Sequence, residues 1–210
     1  MNEKIKALYV EDDPEWQAGI RHYLAGYGEI DLIACVSTIG EAFTVLRQAP
    51  VDIVIMDIML SQAEVWGLDA ALDIALEFPQ VKVIMLSSLD ENDEIFNEAF
   101  MNGAYEYIYK QDFEQLPGAM LNAMRNQPHK FGERLRKLVM DQKKELLSPR
   151  DIELLTMILE GKSQLDMARE LSVSLAAIKK QIGRLMKKFN WRRSSRELAE
   201  KCSKWGLLER

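Results

Sequence analysis

Apolar residues recur along this chain in two rhythms. Five short runs, Ile5–Val10, Ile30–Val36, Val51–Leu60, Val81–Leu86 and Ala104–Tyr109, are nearly continuous and predict strands, most of them buried on both faces. Between them apolar positions return every three or four residues, as helices lying on a sheet require. Asp13-Pro14 reads as an N-cap followed by proline at the first helical position, opening a helix through Trp16, Ile20 and Leu24 towards Gly26 or Gly28. Ser37-Thr38 with Glu41 has the form of a capping box that starts a helix to about Gln48. Further helices are predicted from about Gly67 to Phe78, Glu91 to Asn102 and Asp112 to Asn126. Five strands alternating with five helices predict an α/β domain, a doubly wound five-stranded parallel sheet covered on both faces.

In such a sheet the strand exits converge on one crevice, where open α/β folds carry their chemistry. Here the first strand exits into Glu11-Asp12-Asp13, the third ends in Asp57, the fourth in Ser87-Ser88, and the fifth is followed by Lys110. Carboxylates that close together cannot all stay ionised without a cation, and hard oxygen ligands suit Mg²⁺. A dinucleotide site would need G-x-G-x-x-G after the first strand, and a P-loop would need Gly-Lys-Ser/Thr. Both are absent, and the acids would repel a bare phosphate. A lysine past a strand is ordinarily only solvated, and Ser88-Leu-Asp-Glu91 can serve as a helix cap. Alignment with the other exits is what brings Lys110 and Ser87 forward. Tyr107, an aromatic inside a strand, would ordinarily be packing.

Beyond residue 126 the rhythm is helical throughout. Lys130 to Leu147, with Leu135, Leu138, Val139 and Leu146 among charges, predicts a partly helical linker over 127–145. Ser148-Pro-Arg-Asp151 combines an N-cap, proline and a capping acid, and opens a helix to Gly161 with Ile152, Leu155, Ile158 and Leu159 inward. Ser163-Gln-Leu-Asp166 repeats the pattern, with Ala168 and Leu171 inward. Ser172-Val-Ser174 then turns the chain into a helix from Leu175 to about Phe189. Two capped helices on a tight turn predict helix-turn-helix. In the second of them Ile178, Ile182, Leu185 and Phe189 face inward, while Lys179, Lys180, Arg184, Lys187 and Lys188 stay outside, followed by Arg192 and Arg193.

Charge divides at the same place. Residues 1–129 hold 7 Lys and Arg against 22 Asp and Glu, a balance of −15, while 130–210 hold 20 against 11, a balance of +9. Halves this different have different partners, the basic one a polyanion. Cys35 and Cys202 lie far apart without metal-ligand spacing, Met-Asn-Glu-Lys leads straight into a strand without a signal peptide, and no apolar stretch approaches the roughly 20 residues of a membrane span. The expectation is a reduced, cytoplasmic protein with a domain at 1–126, a linker at 127–145 and a second domain at 146–210.

The first 125 or so residues resemble the receiver domain of two-component response regulators, a flavodoxin-like fold. The resemblance implies that Asp57 accepts a phosphoryl group from a sensor histidine kinase, and that Asp12, Asp13, Asp57 and the backbone carbonyl of Met59 hold Mg²⁺. It also implies that Lys110 and Ser87 bind phosphoryl oxygens and that Tyr107 rotates inward as a switch. Two departures border this site: Leu60-Ser61 replaces the usual Met-Pro, and the usual glycine, here Gly67, comes two residues late. Residues 146–208 are similar to the LuxR-type DNA-binding domain of NarL/FixJ regulators through Leu147-Ser-Pro-Arg-Asp-Ile-Glu153, Glu160-Gly161-Lys-Ser163, Met167-Ala168-Arg-Glu-Leu171, Val173-Ser174 and Ile178-Lys179. Gln181 stands where histidine is common, and Leu175-Ala176-Ala177 replaces a more polar entry. The resemblance implies a regulator, not an enzyme, that dimerises on phosphorylation and contacts promoter DNA through Lys179, Lys180, Arg184, Lys187 and Lys188. A regulator independent of phosphorylation, and a receiver controlling a partner protein, are the alternatives. A phosphohydrolase would want an acid where Met59 stands.

Overall fold

The computed structural model describes residues 4–60, 67–88, 93–125, 130–189, 191 and 193–208. The chain forms two compact units, Met1–Lys137 and Leu138–Arg210. In the first, β1 (Ile5–Val10), β2 (Ile30–Val36), β3 (Ile53–Asp57), β4 (Lys82–Ser87) and β5 (Glu106–Tyr109) form one sheet in the order β2-β1-β3-β4-β5. All neighbours are parallel, with a register shift between Ala7 and Leu8 where β1 meets β2.

The strands alternate between two cores, as their two-residue period requires. Leu8, Val10, Val54, Met56, Val83, Met85 and Tyr107 pack with α2 (Ile39–Gln48), α3 (Gly67–Glu77) and α4 (Asp93–Met101). Ala7, Tyr9, Ile53, Ile55, Ile84, Leu86 and Ile108 pack with α1 (Pro14–Leu24) and α5 (Leu116–Met124). Thr38 and Glu41 complete the expected capping box of α2. The helix expected from Asp112 differs: Lys110–Gln115 is a 3-10 turn, non-helical at Asp112, and α5 begins only at Leu116. Pro117 explains this, because its nitrogen cannot bond back to residue 113 and its ring would meet that carbonyl. The loop expected at Ser61–Trp66 and the cap at Ser88–Glu91 fall largely outside the described residues.

The second unit begins inside α6 (Lys130–Leu146), so part of the expected linker counts with it. Val139 is buried there, and Lys143 lies over the Phe189 ring. Leu138 and Leu146 are exposed; Leu135 is outside the described side chains. Four helices follow: α7 (Pro149–Leu159), α8 (Gln164–Glu170), α9 (Leu175–Lys188) and α10 (Ser195–Lys204). Ser148, Ser163, Ser174 and Ser194 each accept a backbone N–H at a helix start. Ser172, at φ 52°, makes the tight turn between α8 and α9. The buried arc of α7 is Leu154, Leu155, Met157 and Ile158, wider than the expected stripe, since α9 and α10 both pack on it; Ile152 and Leu159 are half-buried. Unforeseen from the sequence, α10 is announced by Ser194 and Glu197, a full capping box.

Candidate functional site

The exits of β1, β3 and β5 carry the charges that the sequence placed there, and β4 ends in Ser87. Asp57 is the last residue of β3 and only 3% exposed. Lys110 follows β5, is buried, and lies 3.2 Å from Asp57 Oδ2 and 2.6 Å from Glu11 Oε2. The Tyr9 hydroxyl donates to the same Glu11 oxygen at 2.7 Å, and the Met59 N–H donates to Asp57 Oδ1 at 3.2 Å. Lys110 also stands 4.8 Å over the Trp16 ring. Strand parity accounts for the grouping: Glu11, Asp57 and Lys110 continue the face of Tyr9, Ile55 and Ile108, the side covered by α1 and α5.

Glu11, Asp12 and Asp57 bring carboxylate oxygens within 4.8 Å of one another. This grouping differs from the expected ligand set in holding Glu11 and not Asp13. Asp13 is exposed, and its Oδ1 caps α1 by accepting from Glu15 N at 2.8 Å and Trp16 N at 3.3 Å. The signal was present, since Asp13-Pro14 reads as a cap, and a carboxylate holding its own helix N-terminus points along that helix. Among the described residues, Glu11 stands with Asp12 and Asp57 where Asp13 was expected. Three carboxylates against one ammonium leave an excess of negative charge in a buried crevice, and their hard oxygens fit a small divalent cation. Burial, then the charge of Glu11, raise the Asp57 carboxyl to about 6 against the pull of Lys110. Burial likewise holds the Tyr9 phenol far above its usual range, so it remains a donor.

Ser87 and Tyr107 belong to the opposite parity. Ser87 is buried at the end of β4, and the Tyr107 side chain hydrogen-bonds with it. Tyr107 is itself buried, packed 5.3 Å from Phe96 and 5.4 Å from Tyr109 between ring centroids, so it already lies inward. Gly67 opens α3 against the exit of β3, and its N–H donates to Ile58 O at 3.1 Å. A Cβ on Gly67 would fall on the Asp57 carbonyl oxygen. The glycine is therefore fixed by contact with the Asp57 backbone.

In the second unit α9 buries Ile178, Leu185 and Phe189, half-buries Ile182, and exposes Lys179, Lys180, Arg184 and Lys187. Lys188 differs from expectation. Its Nζ donates to Asp151 Oδ2 at 2.7 Å and to Leu146 O at 2.8 Å. Asp151 is 5% exposed, and a buried carboxylate requires a partner. Ser148 donates to the same oxygen through its N–H and hydroxyl, and Gln181 Nε2 reaches Asp151 Oδ1 at 3.5 Å. Burial alone would raise the Asp151 carboxyl, but Lys188 and Ser148 hold it below its ordinary value. Arg193 lies 3.8 Å from Glu197; Arg192 is outside the described residues. No described helix is long and apolar enough to cross a membrane.

Residues 7–120 match the response regulator receiver domain family, and residues 145–200 match the luxR family of bacterial regulatory proteins. The response regulator protein VraR of Staphylococcus aureus is 26% identical over 190 residues, 88% of this chain and 90% of the relative. RcsB of Salmonella enterica serovar Typhimurium, solved bound to a promoter in the presence of phosphomimetic BeF3-, superposes with a TM-score of 0.57 at 20% identity, over 96% of this chain and 100% of that one. The signal receiver domain of NarL from Mycobacterium tuberculosis superposes with a TM-score of 0.54 at 18% identity, over 60% of this chain and 99% of that one. With both halves accounted for, the chain belongs to the response regulators, a receiver domain followed by a LuxR-type DNA-binding domain.

Proposed function

We propose that Asp57 accepts a phosphoryl group from a sensor histidine kinase and that the modified chain, as a homodimer, binds promoter DNA through α9. The observation that carries this reading is the buried grouping of Asp57 with Glu11, Asp12 and Lys110 at the sheet's C-terminal edge. Asp57 is the acceptor because it is the carboxylate that ends a central strand, with one oxygen held by Lys110 and the other by the Met59 N–H. As the new Asp57–phosphorus bond forms and the donor's leaving group departs, negative charge gathers on the phosphoryl oxygens, and Lys110 lies where it can offset it.

Glu11, Asp12 and Asp57, with the Met59 carbonyl, would hold Mg²⁺. When bound, the ion supplies a second cation to counter the charge of the crevice and of the transferred group. Ser87, one residue beyond Leu86, the register partner of Asp57 on β4, would offer its hydroxyl to the phosphoryl group. Its bond to Tyr107 then ties that event to the α4 side of the sheet, where Tyr107 packs on Phe96. The group is accepted once and carried, so the chain is a switch without turnover.

Lys179, Lys180, Arg184 and Lys187 form the basic face that meets DNA, the first two at the end that enters the major groove and the last two over phosphates. Lys188 is withdrawn from this set by Asp151. The deciding experiment is labelling from an acyl phosphate followed by footprinting. Wild-type protein takes label with Mg²⁺ and protects a promoter fragment, and Asp57→Ala does neither. Label that persists in Asp57→Ala or in chelator refutes the acceptor site. A phosphorylated protein that protects no DNA leaves the partner-protein alternative.

A further inference from the structure

The exposed side of α9 changes character along its length. Its first turn is apolar and small: Leu175 is 37% exposed, Ala176 and Ala177 are exposed, and Val173, just before the Ser174 cap, is 39% exposed. One turn later the same side carries Lys179 and Lys180, and a further turn later Gly183 and Arg184. Helical spacing sets Leu175 beside Lys179, and Ala176 in line with Lys180 and Gly183. None of this serves the domain's own core, which α9 supplies through Ile178, Leu185 and Phe189. Gly183 has no atom within 4 Å of where a Cβ would stand, so its bare backbone answers no contact within the domain either.

A surface whose tip is aliphatic, whose middle is cationic and whose following turn is notched suits an occupant that is apolar and anionic within one helical turn. The major groove is such an occupant. Thymine presents a C5 methyl there, guanine presents two acceptors that lysine can reach, and phosphates line both rims. A solvated polar entry would gain nothing from the methyl, whereas Leu175 and Ala176 lose exposed apolar surface against it.

We propose that Leu175 and Ala176 are specificity-determining residues that read thymine methyls, and that the preferred half-site places thymine beside a guanine contacted by Lys179 or Lys180. The inference rests on α9 being the recognition helix.

The test uses full-length protein phosphorylated by acetyl phosphate and a site selected from random duplexes. Each thymine of a half-site is replaced singly by deoxyuridine, which removes only the methyl. At one or two positions per half-site Kd rises about fourfold, the loss expected for one carbon no longer buried. Leu175→Ser weakens the thymine duplex to the level of the deoxyuridine duplex and so abolishes the difference. Ala176→Ser is the second variant, used if circular dichroism finds Leu175→Ser unfolded. Equal weakening on both duplexes, or a well-bound site with no methyl-sensitive position, overturns the inference and leaves DNA binding intact. Altered sedimentation of Leu175→Ser with methyl sensitivity unchanged overturns it too, giving the tip to a second copy of the chain. A wild-type protein that binds no duplex even at low salt overturns both the inference and the DNA reading.

Discussion

Lys188 donates a 2.7 Å hydrogen bond to Asp151, fastening the C-terminal end of α9 to the N-terminal end of α7. A lysine engaged in this way has its partners inside the DNA-binding unit, so its removal is expected to be felt in stability more than in phosphate contact. Lys188→Ala should therefore cost on the order of 2 kcal/mol of stability in denaturant unfolding, because it takes the cation from a buried carboxylate and leaves it to the neutral donors of Ser148 and Gln181. It should leave the salt slope of DNA binding unchanged, whereas Lys187→Ala should reduce that slope by about 1. The pair also sets an acid limit. Asp151 is held below its ordinary value, so its contribution is present above the unfolded pKa and lost as pH falls through the lower folded one. Lys188→Ala should flatten that part of the acid-unfolding profile.

Asp57 has the opposite sign. Its carboxyl, raised to about 6 from 3.8, keeps a proton in the folded state that the unfolded chain has already released, so stability falls as pH rises through that window. Asp57→Asn removes the buried charge. In metal-free buffer at about pH 7.5 it should stabilise the protein by on the order of 2 kcal/mol in urea, with the gain vanishing near pH 4.

The correction at Asp13 gives a contrast between adjacent residues. Asp13→Ala should cost about 1 kcal/mol of stability through the lost cap on α1, yet keep Mg²⁺ affinity in calorimetric titration. Asp12→Asn should lose most of that affinity with no comparable loss of stability.

Gly67→Ala places a methyl group on the Asp57 carbonyl, so either α3 or the end of β3 must move. The expected outcome is destabilisation by about 3 kcal/mol together with reduced labelling of Asp57. Gly183→Ala, in open space, should instead stabilise α9 by about 1 kcal/mol.

Much of this was legible in the residue order. Near-continuous apolar runs allow few arrangements other than a buried parallel sheet, and the exits of its strands placed Asp57 and Lys110 together from the residue order alone. Serine caps likewise marked α7, α8 and α9. What escaped was set by side chains meeting across elements. That Glu11 and not Asp13 groups with Asp57 goes with Tyr9 and Lys110 both reaching Glu11, and that Lys188 is engaged within its own unit depends on a carboxylate 37 residues away. Neither contact leaves a periodic trace, whereas α10, also unforeseen, does have one in the capping box of Ser194 and Glu197.

The division of the sheet into two parities has a consequence for where length can vary in this lineage. Removing or adding one residue inside β3 would carry Asp57 to the other side of the sheet, away from Lys110 and Glu11, and would invert every core contact of the strand with it. The segment after Asp57 is under no such rule, because its far end is anchored by Gly67 N–H on Ile58 O regardless of what lies between. An insertion is thus costly inside the strand and less constrained in the chain between Ile58 and Gly67. The two additional residues fall in the chain between Ile58 and Gly67, whose approach that hydrogen bond fixes.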